Sequence, residues 1–348
     1  MAPTVIERIS SRSGLPFAAV ALVAAAILAV PWLILLVPDA AQSLLSSTMN
    51  RSMGAIRGPQ DVLYWGLLFV FLCYVIFAMR YMRARVLETQ VRVAPLTPGS
   101  ADALERAFRP AAWIWPALAT SVVLHLVYAW SAFFGAGHEI ASGDAPLFLL
   151  DIVVNIARTF VIVEFAWLYF GAVAGLAAVC RRPLELLPYY SDGLLGTRPL
   201  GLLSLSLAAT FFLGYALGLP LVILGYSDPY ELAAGGAIFI VGLVLFFLPL
   251  VSVHNQMAEE KQGELDFLHR RYTHLFTVSR RQPDEDEHPG TLADVTAAIG
   301  WLASERRIQA IRTWPFDVDI LARLATSFVV PVVLTVVGRE AILLVLGL

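Results

Sequence analysis

The feature that most limits this chain is a series of apolar runs, each long enough to cross a bilayer as a helix. They cover residues 15–37, 62–82, 111–135, 147–171, 199–224, 232–253 and 320–338. A hydrocarbon core about 30 Å thick needs about 20 residues of helix. With no water there, each segment must pair its own backbone N–H and C=O groups. The expected fold is an all-α transmembrane bundle of seven spans. Composition agrees, since 58% of the 348 residues are hydrophobic and 15% are charged, against roughly 25% charged in soluble domains. The seventh run is the weakest: Arg323 lies near its start, and Arg339 and Glu340 interrupt the apolar tail. Should it fail to cross, the count is six.

The placement of basic residues orients the spans. Alternate segments, residues 1–14, 80–110, 181–198 and 255–316, carry two, six, three and eight of the 24 Lys and Arg. The opposite loops carry Arg51 and Arg57. Positive residues stay on the cytoplasmic side, so the N-terminus is expected inside and the C-terminus outside, in a cell membrane. Arg8 and Arg12 precede the first run, which has no convincing small-residue cleavage site, so it is read as a retained span. Cys73 and Cys180 both lie in apolar runs and read as buried free thiols. A net charge of −3 gives no reason to expect a nucleic-acid partner.

Two segments depart from simple spans. The apolar pattern of the fourth run continues to Cys180, about 34 residues or about 51 Å of helix, so it must tilt or project from the bilayer. After the sixth run the chain turns polar without a breaker from Asn255 to Arg281, with Leu265, Leu268, Tyr272, Leu275 and Ser279 at helical spacing. Pro283, an acidic run and Pro289-Gly290 then make a loop, followed by a second periodic segment with Leu292, Val295, Ile299 and Leu302 on one face. The expected organisation is a six-span bundle (1–254), a cytoplasmic helical hairpin (255–316) and a final transmembrane segment (317–348). The hairpin helices should pack on each other, on the projecting fourth helix or on neighbouring subunits. Thr313, Trp314, Pro315, Phe316 and Asp317 lead into the last span as a proline stop, two interfacial aromatics and a cap.

No local motif names a reaction. The chain's only lysine, Lys261, lies in a polar helix, so there is no phosphate-binding loop of the Gly-Lys-Ser/Thr type. His138 and Glu139 lack the second histidine of a zinc-protease helix, and His254, His269 and His274 are badly spaced for a metal. No enzyme activity, cofactor or metal is expected. Asp151, Asn155 and Arg158, at i, i+4 and i+7, share one face of the fourth span, and Glu164 points elsewhere. Ionisable groups in hydrocarbon cost several kcal/mol, so these line either an ion or solute path or a structural network that fixes helix packing. His125 and Tyr215 read as packed polar tips, and Ser204, Ser206 and Thr210 as bonded to their own helix. Gly171 with Gly175, and Gly214 with Gly218, have the spacing of close helix contacts.

The plan of seven spans, a helical extension after the sixth (Asn255 to Arg281), a helix before the seventh and a polar-spotted last helix resembles the seven-transmembrane ion-channel superfamily of insect odorant and gustatory receptors and its prokaryotic relatives. The segment from Thr313 to Asp317 is also similar to bacterial and archaeal membrane proteins without an assigned function. The channel resemblance implies a homotetramer in the lipid bilayer, conducting cations and gated by an unknown small ligand, with Ser327, Val330 and Leu334 lining the pore. The alternatives are a small-solute or ion transporter using Asp151, Arg158 and Glu164, or a non-catalytic sensor or scaffold whose hairpin binds a partner.

Overall fold

The computed structural model describes residues 4–29, 59–97, 110–135, 145–188, 193–225, 229–281, 292–316 and 320–326, with single positions at 329 and 333. At 59–62, 110–113, 128–135, 145–151, 222–225, 229–235, 274–281, 292–295 and 297 only the backbone is described. Among these residues the secondary structure is helical, with no strands. In chain order the helices are α1 (Val5–Ser13), α2 (Phe17–Ala29), α3 (Pro59–Val93), α4 (Pro110–Gly135), α5 (Ala145–Cys180), α6 (Arg198–Gly225), α7 (Pro229–Arg281) and α8 (Leu292–Gln309), and a further helix begins at Ile320. Helices α3, α5, α6 and α7 are long and apolar enough to cross a membrane, and α2 and α4 contain shorter apolar stretches. The chain is thus a helical membrane protein.

Helix α1 was not foreseen. Its signal is Thr4-Val5-Ile6-Glu7, a reciprocal capping box in which the Glu7 N–H donates to Thr4 Oγ1 (3.3 Å) and the Thr4 N–H donates to Glu7 (2.9 Å). Gly14 ends it in the left-handed conformation, φ 69°. The run expected at 62–82 belongs to a 35-residue helix, α3, that continues to Val93. Met79, Met82, Val86 and Val93 keep one stripe of that extension buried. Helix α5 runs the full 36 residues to Cys180, and α7 joins the sixth span and the polar segment after it into one helix of 53 residues, about 80 Å long. The polar part of α7 beyond the membrane-length stretch is referred to below as its shaft.

Packing is dense between α3 and α6 because small residues meet rings. Tyr74 and Phe71 of α3 lie against Gly214 and Gly218 of α6, 3.2 and 3.5 Å from where a Cβ would sit. The Tyr74 hydroxyl also donates to the Thr210 carbonyl. One buried cluster runs without interruption from Ala21 and Ala25 of α2, through Leu72, Ile76 and Leu176, to Met257, Leu268 and Ile308 at the shaft. The bundle and the shaft therefore share a core. The end of α3 is tied to the segment after α5 by the Glu185 N–H donating to the Leu96 carbonyl (2.9 Å).

Helix α8 packs on α7, but not through the expected face. Ile299 and Leu302 are 63% and 44% exposed. The stripe that meets α7 carries Trp301, Glu305 and Ile308, with Glu305 3.8 Å from His269 of α7. Trp301 and Ile308 on that stripe pack on the core, whereas Ile299 and Leu302 do not. Leu265, Leu268 and Tyr272 of the shaft do pack on the core, whereas Leu275, Ser279, Leu292 and Val295 lie outside the described side chains.

Candidate functional site

The chemistry available in the membrane is concentrated on α5. Arg158 donates from both Nε (3.0 Å) and Nη2 (2.9 Å) to the Leu28 carbonyl of α2, and from Nη1 to Asn155 Oδ1 (2.9 Å). Its guanidinium lies 5.5 Å from the Trp65 ring centroid of α3. A planar, permanently charged donor fork suits this task, because three polar bonds and a ring face replace lost water. The acceptor is a backbone carbonyl in the last described turn of α2. Arg158 thus joins α2, α3 and α5 at one point.

Asn155 and Arg158 share a face as their spacing predicts, while the side chain of Asp151 lies outside the described residues. One turn along α5, Thr159 Oγ1 is 3.4 Å from His125 Nδ1 of α4, which ties the neighbouring helix as well. Tyr215 packs on the Phe239 ring at 5.9 Å. This patch holds helices together; its principal cation already has backbone and amide partners and is poorly placed to grip a solute.

Glu164 faces a different neighbour. It is 3% exposed, sits under the start of α1, and accepts from the Val5 N–H, with Glu7 and Arg8 close by. Its Oε1 has no hydrogen-bond partner. The first N–H groups of a helix and its positive dipole end offset part of the cost of this carboxylate. Glu7 in turn forms an ion pair with Arg83 of α3. The result is a relay of charge from α5 through α1 to α3.

A second polar constellation, which spacing alone did not reveal, lies on the shaft. Gln256 donates from Nε2 to the Cys180 carbonyl (2.8 Å) and accepts from the Leu184 N–H (2.9 Å), closing the end of α5. Lys261 donates to the carbonyls of Gln309 (2.7 Å) and Ile311 (2.9 Å), closing the end of α8. His254 Nδ1 is 2.8 Å from the Thr313 carbonyl, and its ring stacks on Trp314 at 4.2 Å. Among the described residues no group of three His, Cys, Asp or Glu could hold a metal. A hollow beside the shaft, lined by Leu187, Leu195, Glu260, Lys261 and Ile311, has a volume of about 10 Å³, room for about one water.

Ser204 corrects another expectation. Ser206 and Thr210 do donate to their own helix, at the Leu202 and Ser206 carbonyls. Ser204 instead donates across to the Phe246 carbonyl of α7 (2.8 Å). Pro249, one turn further along α7, leaves the Leu245 carbonyl rather than the Phe246 carbonyl without its helical donor, so the Ser204 bond is an added tie between α6 and α7.

Of the pore candidates, Ser327, Val330 and Leu334 lie outside the described residues. The start of their helix is described: Ile320 and Leu324 are buried against Leu205, Ala208 and Phe212 of α6 and Phe246 and Leu250 of α7. Leu321, Arg323, Thr326, Val329 and Val333 are exposed. No family model matches the sequence, and neither curated proteins nor solved structures give a match.

Proposed function

We propose that this chain is one subunit of an oligomeric, ligand-gated cation channel in a cell membrane. It has seven spans, the N-terminus and shaft in the cytoplasm, and the last helix at the axis of a tetramer. The observation that supports this reading is the two-sidedness of the last helix. It is held through Ile320 and Leu324, while the side turned away from the protomer carries Arg323 and Thr326. The same side carries Leu321, Val329 and Val333, and the Thr326 hydroxyl donates to the Arg323 carbonyl (2.9 Å); a mixed, uncovered side of this kind suits an axis shared with other copies. Thr326, Val329 and Val333 are exposed positions described along this side. Valines on such a side give an apolar constriction of the kind that gates by dewetting.

The transporter reading draws less support, because Arg158 is engaged with Leu28 and Asn155. The sensor or scaffold reading is favoured by one observation, the exposed Phe267, Ile299 and Leu302 on the shaft and α8. Purified protein in planar bilayers tests the proposal. Cation current that changes in Val333→Ala is expected; silent bilayers from a folded oligomer over a range of lipids, voltages and candidate ligands would count decisively against it. Capture of a cytosolic partner that is lost in Ile299→Asp, with silent bilayers, would favour the scaffold.

A further inference from the structure

Residues 310–316 lead from the end of α8 toward the last helix, and three residues on two helices, α6 and α7, hold them. Lys261 fixes the carbonyls of Gln309 and Ile311. His254, seven residues earlier and so on the same face of α7, fixes Thr313. A carbonyl only accepts, so the His254 Nδ1 carries the proton and donates to it. Trp314 stacks on that imidazole. The third hold is Gly201 of α6, where an added Cβ would lie 1.9 Å from the Pro315 carbonyl oxygen. The backbone of the segment therefore occupies the space that any other residue at 201 would fill.

The holds lie on both sides of the break in α7. His254 and Lys261 are on the shaft, beyond Pro249. Phe316 packs on Phe246, before Pro249, with ring centroids 6.2 Å apart, and Ile320 and Leu324 continue that contact. A helix interrupted by proline bends more readily at that turn than elsewhere. A change of angle at Pro249 moves His254 and Lys261 relative to Phe246, and the segment that joins them must follow.

We propose that residues 310–316 are a strap that transmits bending of α7 at Pro249 to the base of the last helix. In its mechanical part this stands on the contacts above; its effect on current rests on the channel reading. Gly201→Ala displaces the strap while leaving α6 a good helix, since alanine is the better helix former. His254→Phe keeps an aromatic face for Trp314 but removes the donor to Thr313. Gly263→Ala on the shaft is the control, because nothing lies within 4 Å of its added Cβ.

The test is a spin-label distance between Gln262→Cys and Leu321→Cys, both exposed positions, in full-length protein with Cys73 and Cys180 replaced by Ala. The protein is reconstituted in nanodiscs with excess unlabelled chain, and size-exclusion profiles confirm that each variant is folded. Gly201→Ala is expected to shift the distance by a few ångström and broaden it, His254→Phe to broaden it, and Gly263→Ala to leave it unchanged. An unchanged distance in both folded strap variants overturns the strap. Bilayer recordings separate the two proposals: altered open probability in Gly201→Ala supports coupling to the gate, and distances that respond in a protein that never conducts overturn the channel reading alone.

Discussion

Helix α2 and the last described helix are fastened to the bundle in opposite ways. Helix α2 is held on the bundle by a charge, with Arg158 reaching across to the Leu28 carbonyl and Ala21, Ala25 and Ala29 buried in the central cluster. The last helix is held by apolar contacts at Ile320 and Leu324 and by a polar strap below its base. A charge buried among helices fixes position at high cost if disturbed. Small polar bonds at a helix base leave the helix above free to present another face. The first arrangement fixes a helix in place, and the second leaves one side of the helix uncovered.

The largest effect follows from Arg158→Met, which strips three hydrogen bonds from a half-buried site where α2, α3 and α5 meet. Charge-assisted bonds are worth roughly 1.5–3 kcal/mol each in measured cases. A loss of several kcal/mol is expected, read as little or no folded protein by size exclusion in detergent. Near-normal stability would remove Arg158 from the scaffold and reopen the transport reading. Gly201→Ala comes next. Overpacking against a backbone carbonyl costs about 1–3 kcal/mol, offset by about 1 kcal/mol of helix propensity, so a net loss of about 1 kcal/mol should appear in thermal unfolding, alongside the displaced strap.

Lys261→Met should cost about 1 kcal/mol or less, since its two bonds to the end of α8 lie at a partly exposed site. Hydrogen exchange should then quicken in 305–313 and stay unchanged in α2. Glu164→Gln is expected to be neutral or slightly stabilising. It replaces a buried carboxyl group that has one unpartnered oxygen and keeps a carbonyl that can accept from the Val5 N–H. A large loss of stability there would mean that the charge, rather than the acceptor, anchors α1.

Much of this fold is legible in the sequence because bilayer thickness and helical spacing act on every residue of a run. The apolar stretches at 62–82, 147–180 and 199–224 lie within described helices, and Asn155 pairs with Arg158 as three-residue spacing allows. What was missed depends on contacts between elements. Thr4 and Glu7 carry a readable capping signal, overlooked because charged residues ahead of a span also serve topology. Nothing local distinguishes Ser204, which donates to α7, from Ser206, which donates to its own helix. Within the protomer α8 meets the core through Trp301 and Ile308, and Ile299 and Leu302 are left exposed; a tryptophan buries more surface than either aliphatic residue could. Gly201 shows its role only once Pro315 is seen against it. His254 and Lys261 invite a search for metal or catalytic chemistry, yet their partners are main-chain carbonyls on a distant segment.

The central claim is that the open side of the last helix faces an aqueous axis shared by several copies. The most direct measurement is the accessibility of a nitroxide at Val333→Cys, a position exposed in the protomer, in reconstituted full-length protein. Relaxation by a water-soluble nickel chelate exceeding that by dissolved oxygen is the predicted result. Relaxation dominated by oxygen, as for a residue facing acyl chains, would contradict it.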